Sequence, residues 1–214
     1  MKIPVSHGHL EAVIREPDGS PRGAAVVCHP HPLYGGTMHT KAVYRTAQAL
    51  NEAGMVALRF NFRGVGASTG IHGEGVGERE DVVAALDWLA ARHPGMPLVA
   101  GGFSFGSLVG MTVGAGDSRV VALVGVGLPV ARGDRYDYDF LAAADKPVLV
   151  VQGDNDEFGS GEVVERVLPD SAAHVTLVRV PEADHYFTGR LHELRAAVRG
   201  YFEAGPGARV LTTA

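Results

Sequence analysis

Six short apolar runs punctuate the chain, at 24–29, 55–61, 97–103, 120–126, 147–152 and 175–180, each rich in Val, Leu or Ala and bounded by Gly or Pro. They have the length of strands and do not alternate apolar with polar residues. Such strands are covered on both faces, as in a parallel sheet held between two helix layers. The intervals between them supply the helices. Segment 78–92 places Val82, Val83, Leu86 and Leu89 on one face, leaves Glu80, Asp81, Asp87 and Arg92 elsewhere, and stops at His93-Pro94-Gly95. Segments 40–53, 105–114 and 189–202 complete a repeated strand–helix rhythm. The fold class predicted is α/β: a three-layer α/β/α sandwich around a mostly parallel, doubly wound sheet. A run at 10–15 adds an antiparallel strand at the sheet's edge. Residues 1–204 read as a single domain and 205–214 as a loose C-terminal tail.

Composition narrows the function classes. The 214 residues are 46% apolar, enough to build a core without metal or disulfide. Acidic residues outnumber basic ones, 24 to 19, and no cluster of Lys and Arg could neutralise a row of phosphates, so nucleic acid is not an expected partner. No apolar stretch approaches the roughly 18 residues that a membrane span needs, and the first residues do not resemble a signal peptide. The only cysteine, Cys28, lies in a buried run and reads as an inert apolar residue. A cytoplasmic location is the expectation.

Between the 97–103 strand and the following helix stands Gly102-Phe103-Ser104-Phe105-Gly106, a Gly-x-Ser-x-Gly pattern in a strand–turn–helix setting. A serine at so sharp a turn is crowded by both elements, and glycine two positions to either side relieves the crowding. Its hydroxyl stands above the carboxyl end of the sheet, where open α/β folds bind ligands. A serine hydroxyl needs a base, and the base needs an orienting acid. His185 is best placed as base, on the loop between the last strand and the final helix. The acid belongs to the loop after the preceding strand, where Asp154 and Asp156 compete, giving the chain order Ser, Asp, His. The oxyanion of an acyl-transfer intermediate needs two N–H donors: that of Phe105, and one from the Pro30–Met38 loop, either His31 or a residue of 33–36. Prolines lack the N–H, and they stiffen the loop around His31, which is favoured.

Taken together, the segments from His29-Pro30-His31-Pro32 to Gly35-Gly36, Leu58-Arg59-Phe60-Asn61-Phe62-Arg63-Gly64, the serine pentapeptide, and Ala183-Asp184-His185-Tyr186-Phe187 resemble the small, lidless serine hydrolases of the α/β-hydrolase superfamily, near the dienelactone-hydrolase-like and carboxylesterase groups. The resemblance places the acid on Asp156, three residues after Gly153. The chain departs from the pattern directly afterwards, where Glu157-Phe158-Gly159-Ser160 replaces a valine–proline ending, and its serine differs from the cysteine of dienelactone hydrolases. Only 127–146 separates two strands where larger members insert a lid, which implies an open, shallow site. Leu33, Tyr34, Phe103, Phe105 and Tyr186 are candidates for its walls.

The implied activity is cleavage of small carboxylic esters through an acyl-enzyme, with no cofactor or metal. A thioesterase using the same residues and a non-catalytic binding module on the same fold are the alternatives. Several other signals carry less. The glycines of 64–66 and 73–77 lack dinucleotide-binding spacing. Arg63 reads as a loop-bonding residue before a substrate ligand, and His29, His31 and His39 need not converge on a metal.

Overall fold

The computed structural model describes residues 1–133, 136–168 and 174–211. Its eight strands are β1 (Lys2–Val5), β2 (Gly8–Arg15), β3 (Gly23–Cys28), β4 (Met55–Phe60), β5 (Leu98–Phe103), β6 (Val120–Val126), β7 (Val148–Gly153) and β8 (Val175–Val180). They form one sheet in the order β1-β2-β4-β3-β5-β6-β7-β8, antiparallel at β1–β2 and β2–β4 and parallel elsewhere. The six predicted strands are all present. The antiparallel strand at 10–15 is present too, but β1 pairs outside it and takes the edge. Four residues including Pro4 carry too weak a pattern to be read alone.

Among the described residues six α-helices accompany the sheet: α1 (Lys41–Glu52), α2 (Val76–Arg92), α3 (Phe105–Gly116), α4 (Gly161–Val167), α5 (Leu191–Glu203) and α6 (Pro206–Arg209). Alternate residues of each central strand enter opposite cores. Ala24, Val26 and Cys28 of β3 join Val82, Leu86 and Leu89 of α2 and Val109 of α3 on one face. Ala25 and Val27 join Val43 and Leu50 of α1 and Leu194 and Val198 of α5 on the other. The strands read as continuous apolar runs because both faces are covered.

Two differences from the sequence pattern have clear physical reasons. On α2 the buried stripe runs through Asp81, Val82, Ala85, Leu86 and Leu89, so Val83 is exposed and Asp81 is buried. Asp81 is carried inward by a partner: Arg63 forks onto its carboxylate at 2.8 and 3.1 Å, and its own backbone N–H donates to it at 2.9 Å. The expected loose tail instead begins with α6, and Leu211 is buried in the core beneath α1 and α5; residues 212–214 lie outside those described.

Candidate active site

Ser104 stands between β5 and α3 with φ 56° and ψ −124°, a conformation that costs a non-glycine residue of order 1–3 kcal/mol. Glycines on either side make the turn possible. A Cβ on Gly102 would lie 2.5 Å from the Cys28 carbonyl oxygen, and one on Gly106 would lie 2.4 Å from that of His29. The serine is thereby lifted into a cleft of about 850 Å³ at the carboxyl ends of the strands.

His185 comes from the loop after β8. Its Nε2 lies 3.0 Å from Ser104 Oγ and its Nδ1 2.8 Å from Asp156 Oδ2. The imidazole is almost wholly buried, held above Phe103 (4.8 Å between ring centres) and edge-on to Phe158 (4.6 Å). Asp156 is buried and fully bonded: Oδ2 also accepts from Gln152 Nε2 at 2.8 Å, and Oδ1 accepts from the Phe158 N–H at 2.8 Å. Asp154, its competitor, points outward and pairs with Arg179 at 2.7 Å. The geometry therefore brings Ser104, His185 and Asp156 together and leaves Asp154 apart. A nearly buried carboxylate with three donors holds the ring's Nδ1 as a donor and leaves Nε2 facing the hydroxyl.

Phe105 opens α3, so its N–H is among those a helix start leaves without a partner inside the helix. Across from it lies the loop after β3, where a 3₁₀ turn spans Pro32–Tyr34. The N–H groups of Leu33, Tyr34, Gly35 and Gly36 are all committed within this loop: Leu33 to His31 Nδ1, Tyr34 and Gly36 to the His31 carbonyl, and Gly35 to that of Pro32. His31 lines the cleft, its ring 4.9 Å from that of Phe105.

Of the predicted wall residues, Tyr34, Phe105 and Tyr186 line the cleft. Phe103 does not: its side chain is fully buried beneath His185, since it points to the sheet's other core. Leu33 is exposed and lies outside the lining. Arg63 is taken by Asp81 and Glu80. Cys28 is buried, and burial pushes its thiol far above its ordinary value, so it is no competing nucleophile. Among the described residues no cluster of His, Cys, Asp or Glu could hold a metal ion, and no helix is long and apolar enough to cross a membrane.

Several supporting residues, two of them inside the quoted motifs, have roles that the sequence does not reveal. His29 is fully buried; its Nδ1–H donates to the Pro30 carbonyl at 2.6 Å, and its Nε2 accepts from the Phe62 N–H at 3.0 Å, tying the loops after β3 and β4 together. Burial pulls its pKa down to about 4, which keeps it neutral. Asn61 accepts from the Met38 N–H at 2.8 Å and fixes the far end of the same loop. Burial works against the charge of Glu78, but the N–H groups of Gly73 and Gly75, with His72 nearby, outweigh it and hold the carboxyl below its ordinary value. These residues share one signal, a polar residue at the end of an apolar run or in a glycine-rich bend.

Sheet order, the strained serine turn and the convergence of serine, histidine and aspartate define an α/β hydrolase. The sequence matches the alpha/beta hydrolase domain family over residues 25–197, and the chain belongs to that family. It is 37% identical over 184 residues to an uncharacterised protein of Rickettsia prowazekii, covering 83% of this chain and 77% of that one. An α/β serine hydrolase homologue from Coxiella burnetii superposes with a TM-score of 0.84 at 38% identity, covering 93% of this chain and 94% of the other. A lidless α/β serine hydrolase from Xanthomonas campestris gives 0.84 at 34% identity, covering 94% and 92%. The protein is thus a member of the α/β serine hydrolases.

Proposed function

We propose that the protein hydrolyses small carboxylic esters, with Ser104 as nucleophile, His185 as base and Asp156 as the acid orienting it. The observation that carries this reading is the continuous pair of contacts from Ser104 Oγ to His185 Nε2 at 3.0 Å and from His185 Nδ1 to Asp156 Oδ2 at 2.8 Å, at the floor of an open cleft. Nε2 takes the hydroxyl proton as Oγ attacks the ester carbonyl. The charge that develops on the carbonyl oxygen is received by the N–H groups of Phe105 and His31. His185 then gives the proton to the departing alkoxide, leaving an acyl group on Ser104. Water, losing a proton to the same nitrogen, attacks the acyl carbon; the acid leaves and the proton returns to Oγ. Asp156 remains ionised throughout and stabilises the imidazolium that forms twice per cycle.

His31 is taken as the second donor for its place just after β3, between two prolines that stiffen the loop, where it lines the cleft beside Phe105. The cleft's breadth suits a small ester that enters directly from solvent.

Turnover of 4-nitrophenyl butyrate tests the proposal, with the thioester and anilide of the same acid alongside. A burst of nitrophenol equal to the enzyme concentration and its loss in Ser104→Ala are expected. Undiminished turnover by a folded Ser104→Ala protein would overturn the assignment.

A further inference from the structure

Charge in the cleft is unevenly placed. Among the described residues, Arg79 and Arg132 line it with Ser104 and His185, and Glu74 is the one carboxylate of the lining. Among the described residues neither guanidinium has a carboxylate within 4.0 Å, whereas Arg63, Arg119, Arg179 and Arg190 each hold two. In a chain of net charge −5, two cations on one cleft, neither with a carboxylate partner among the described residues, bias that cleft toward anions.

Arg79 lies in the opening turns of α2, at the end where the aligned peptide dipoles already present positive charge, so a cation is disfavoured there. Arg132 stands over the Phe158 ring, its guanidinium carbon 4.2 Å from the ring centre. The same ring also meets His185 in a T-shaped contact, 4.6 Å away between ring centres. Arg132 is therefore one aromatic ring from the base. Because His185 Nε2 must reach the oxygen that departs, this wall faces the leaving group. Arg79 lines the cleft together with Gly75, whose Cβ position is 3.7 Å from the Phe105 ring.

We propose that the cleft takes anionic esters, with a carboxylate or phosphate on the leaving group received by Arg132 and drawn in by the field of Arg79. This rests on the serine-hydrolase reading above and adds the substrate's charge to it. A guanidinium offers paired donors to either anion, and the Phe158 ring gives it a surface to rest against. Both cations also offset the repulsion that an acidic protein exerts on an approaching anion.

The experiment compares kcat/KM on four aryl butyrates bearing, para to the ester, a carboxylate, a phosphate, the methyl ester of that carboxylate, or a trimethylammonium group. Each is measured in wild type, Arg132→Gln and Arg79→Gln, and the ratio of variant to wild type removes differences in leaving-group reactivity. Arg132→Gln is expected to lower kcat/KM about tenfold or more on at least one anionic ester, to change the neutral ester less than twofold, and to raise the cationic one. Arg79→Gln is expected to give a smaller loss on the same anion, diminishing as salt is added. A loss confined to the carboxylate or to the phosphate identifies which anion the wall accepts. Equal ratios across all four esters in both variants would overturn the inference while leaving the hydrolase intact. Absence of turnover on every ester, with no labelling of Ser104 by a fluorophosphonate, would instead overturn the serine-hydrolase reading itself.

Discussion

The Gln152 side-chain amide donates to Asp156 Oδ2, the oxygen that also receives His185 Nδ1, at 2.8 Å in each case. Gln152 is fully buried at the end of β7 and every part of its amide is used: Oε1 accepts from the Leu128 N–H at 2.7 Å, and Nε2 also donates to the Gly159 carbonyl at 2.6 Å. It locks the acid loop to the turn after β6 and points one carboxylate oxygen at the base.

Gln152→Leu should therefore cost stability and activity together. The Leu128 N–H and the Gly159 carbonyl would be left without their present partner, at about 1–3 kcal/mol for a buried group so treated. Urea unfolding should register that loss. Turnover should fall about tenfold, since one charge-assisted bond to Asp156 is removed. A full effect on kcat with little on KM is expected, because Gln152 touches no part of the cleft.

Asp156→Asn and Asp154→Asn should separate sharply. The first replaces the carboxylate that holds His185 Nδ1–H, and a loss of up to roughly 10⁴ in kcat is expected. The second removes only a partly exposed pair with Arg179, and activity should stay near wild type with stability changed by less than about 1 kcal/mol. Steady-state kinetics on one ester with both variants decides the matter, and the reverse order of effects would move the acid to Asp154.

His29 should make the fold sensitive to acid. Its folded pKa is depressed to about 4 by burial, below the ordinary value of about 6.5 in the unfolded chain. Between those values the unfolded state binds the extra proton, so stability rises with pH through this window. The contribution is complete above about pH 6.5 and is lost as pH falls toward 4. Unfolding free energies measured from pH 7 to 4 should fall less steeply in His29→Gln than in wild type. The variant starts from a lower stability because the bond to the Pro30 carbonyl or to the Phe62 N–H is lost.

Arg63→Ala should be among the more damaging changes outside the cleft. Burial pushes the Asp81 carboxyl up, and Arg63 supplies the strongest opposing effect. Removing the guanidinium strands a buried carboxylate, at about 3–5 kcal/mol. Arg63→Ala with Asp81→Leu should recover part of the loss, and thermal unfolding of the two proteins tests this.

Much of this architecture was legible in the sequence because covered strands must be apolar on both faces. The runs that became β3 to β8 are continuous for that reason, and the serine turn is marked by glycines that no side chain could replace. Chain order also set Ser104, an aspartate loop and His185 at one edge of the sheet. What the pattern could not carry was polar burial. Asp81 looks like a solvent-facing residue until Arg63, 18 positions away, is folded against it. Gln152 looks like the end of a strand until Asp156 and Gly159 turn back upon it. The direction of Phe103 was equally hidden. Successive strand residues face opposite sides, and only the register of β5 shows that Phe103 supports the base from below. Leu33 and Tyr34 are adjacent, yet the 3₁₀ turn sends only Tyr34 into the cleft.

The most direct measurement is the intact mass of the protein after exposure to a fluorophosphonate, run beside Ser104→Ala. An activated serine predicts one adduct on wild type, none on the variant, and loss of ester turnover in step with labelling. A folded wild-type protein that takes up no adduct, or a Ser104→Ala protein labelled as fully as wild type, would contradict the assignment of Ser104 as nucleophile.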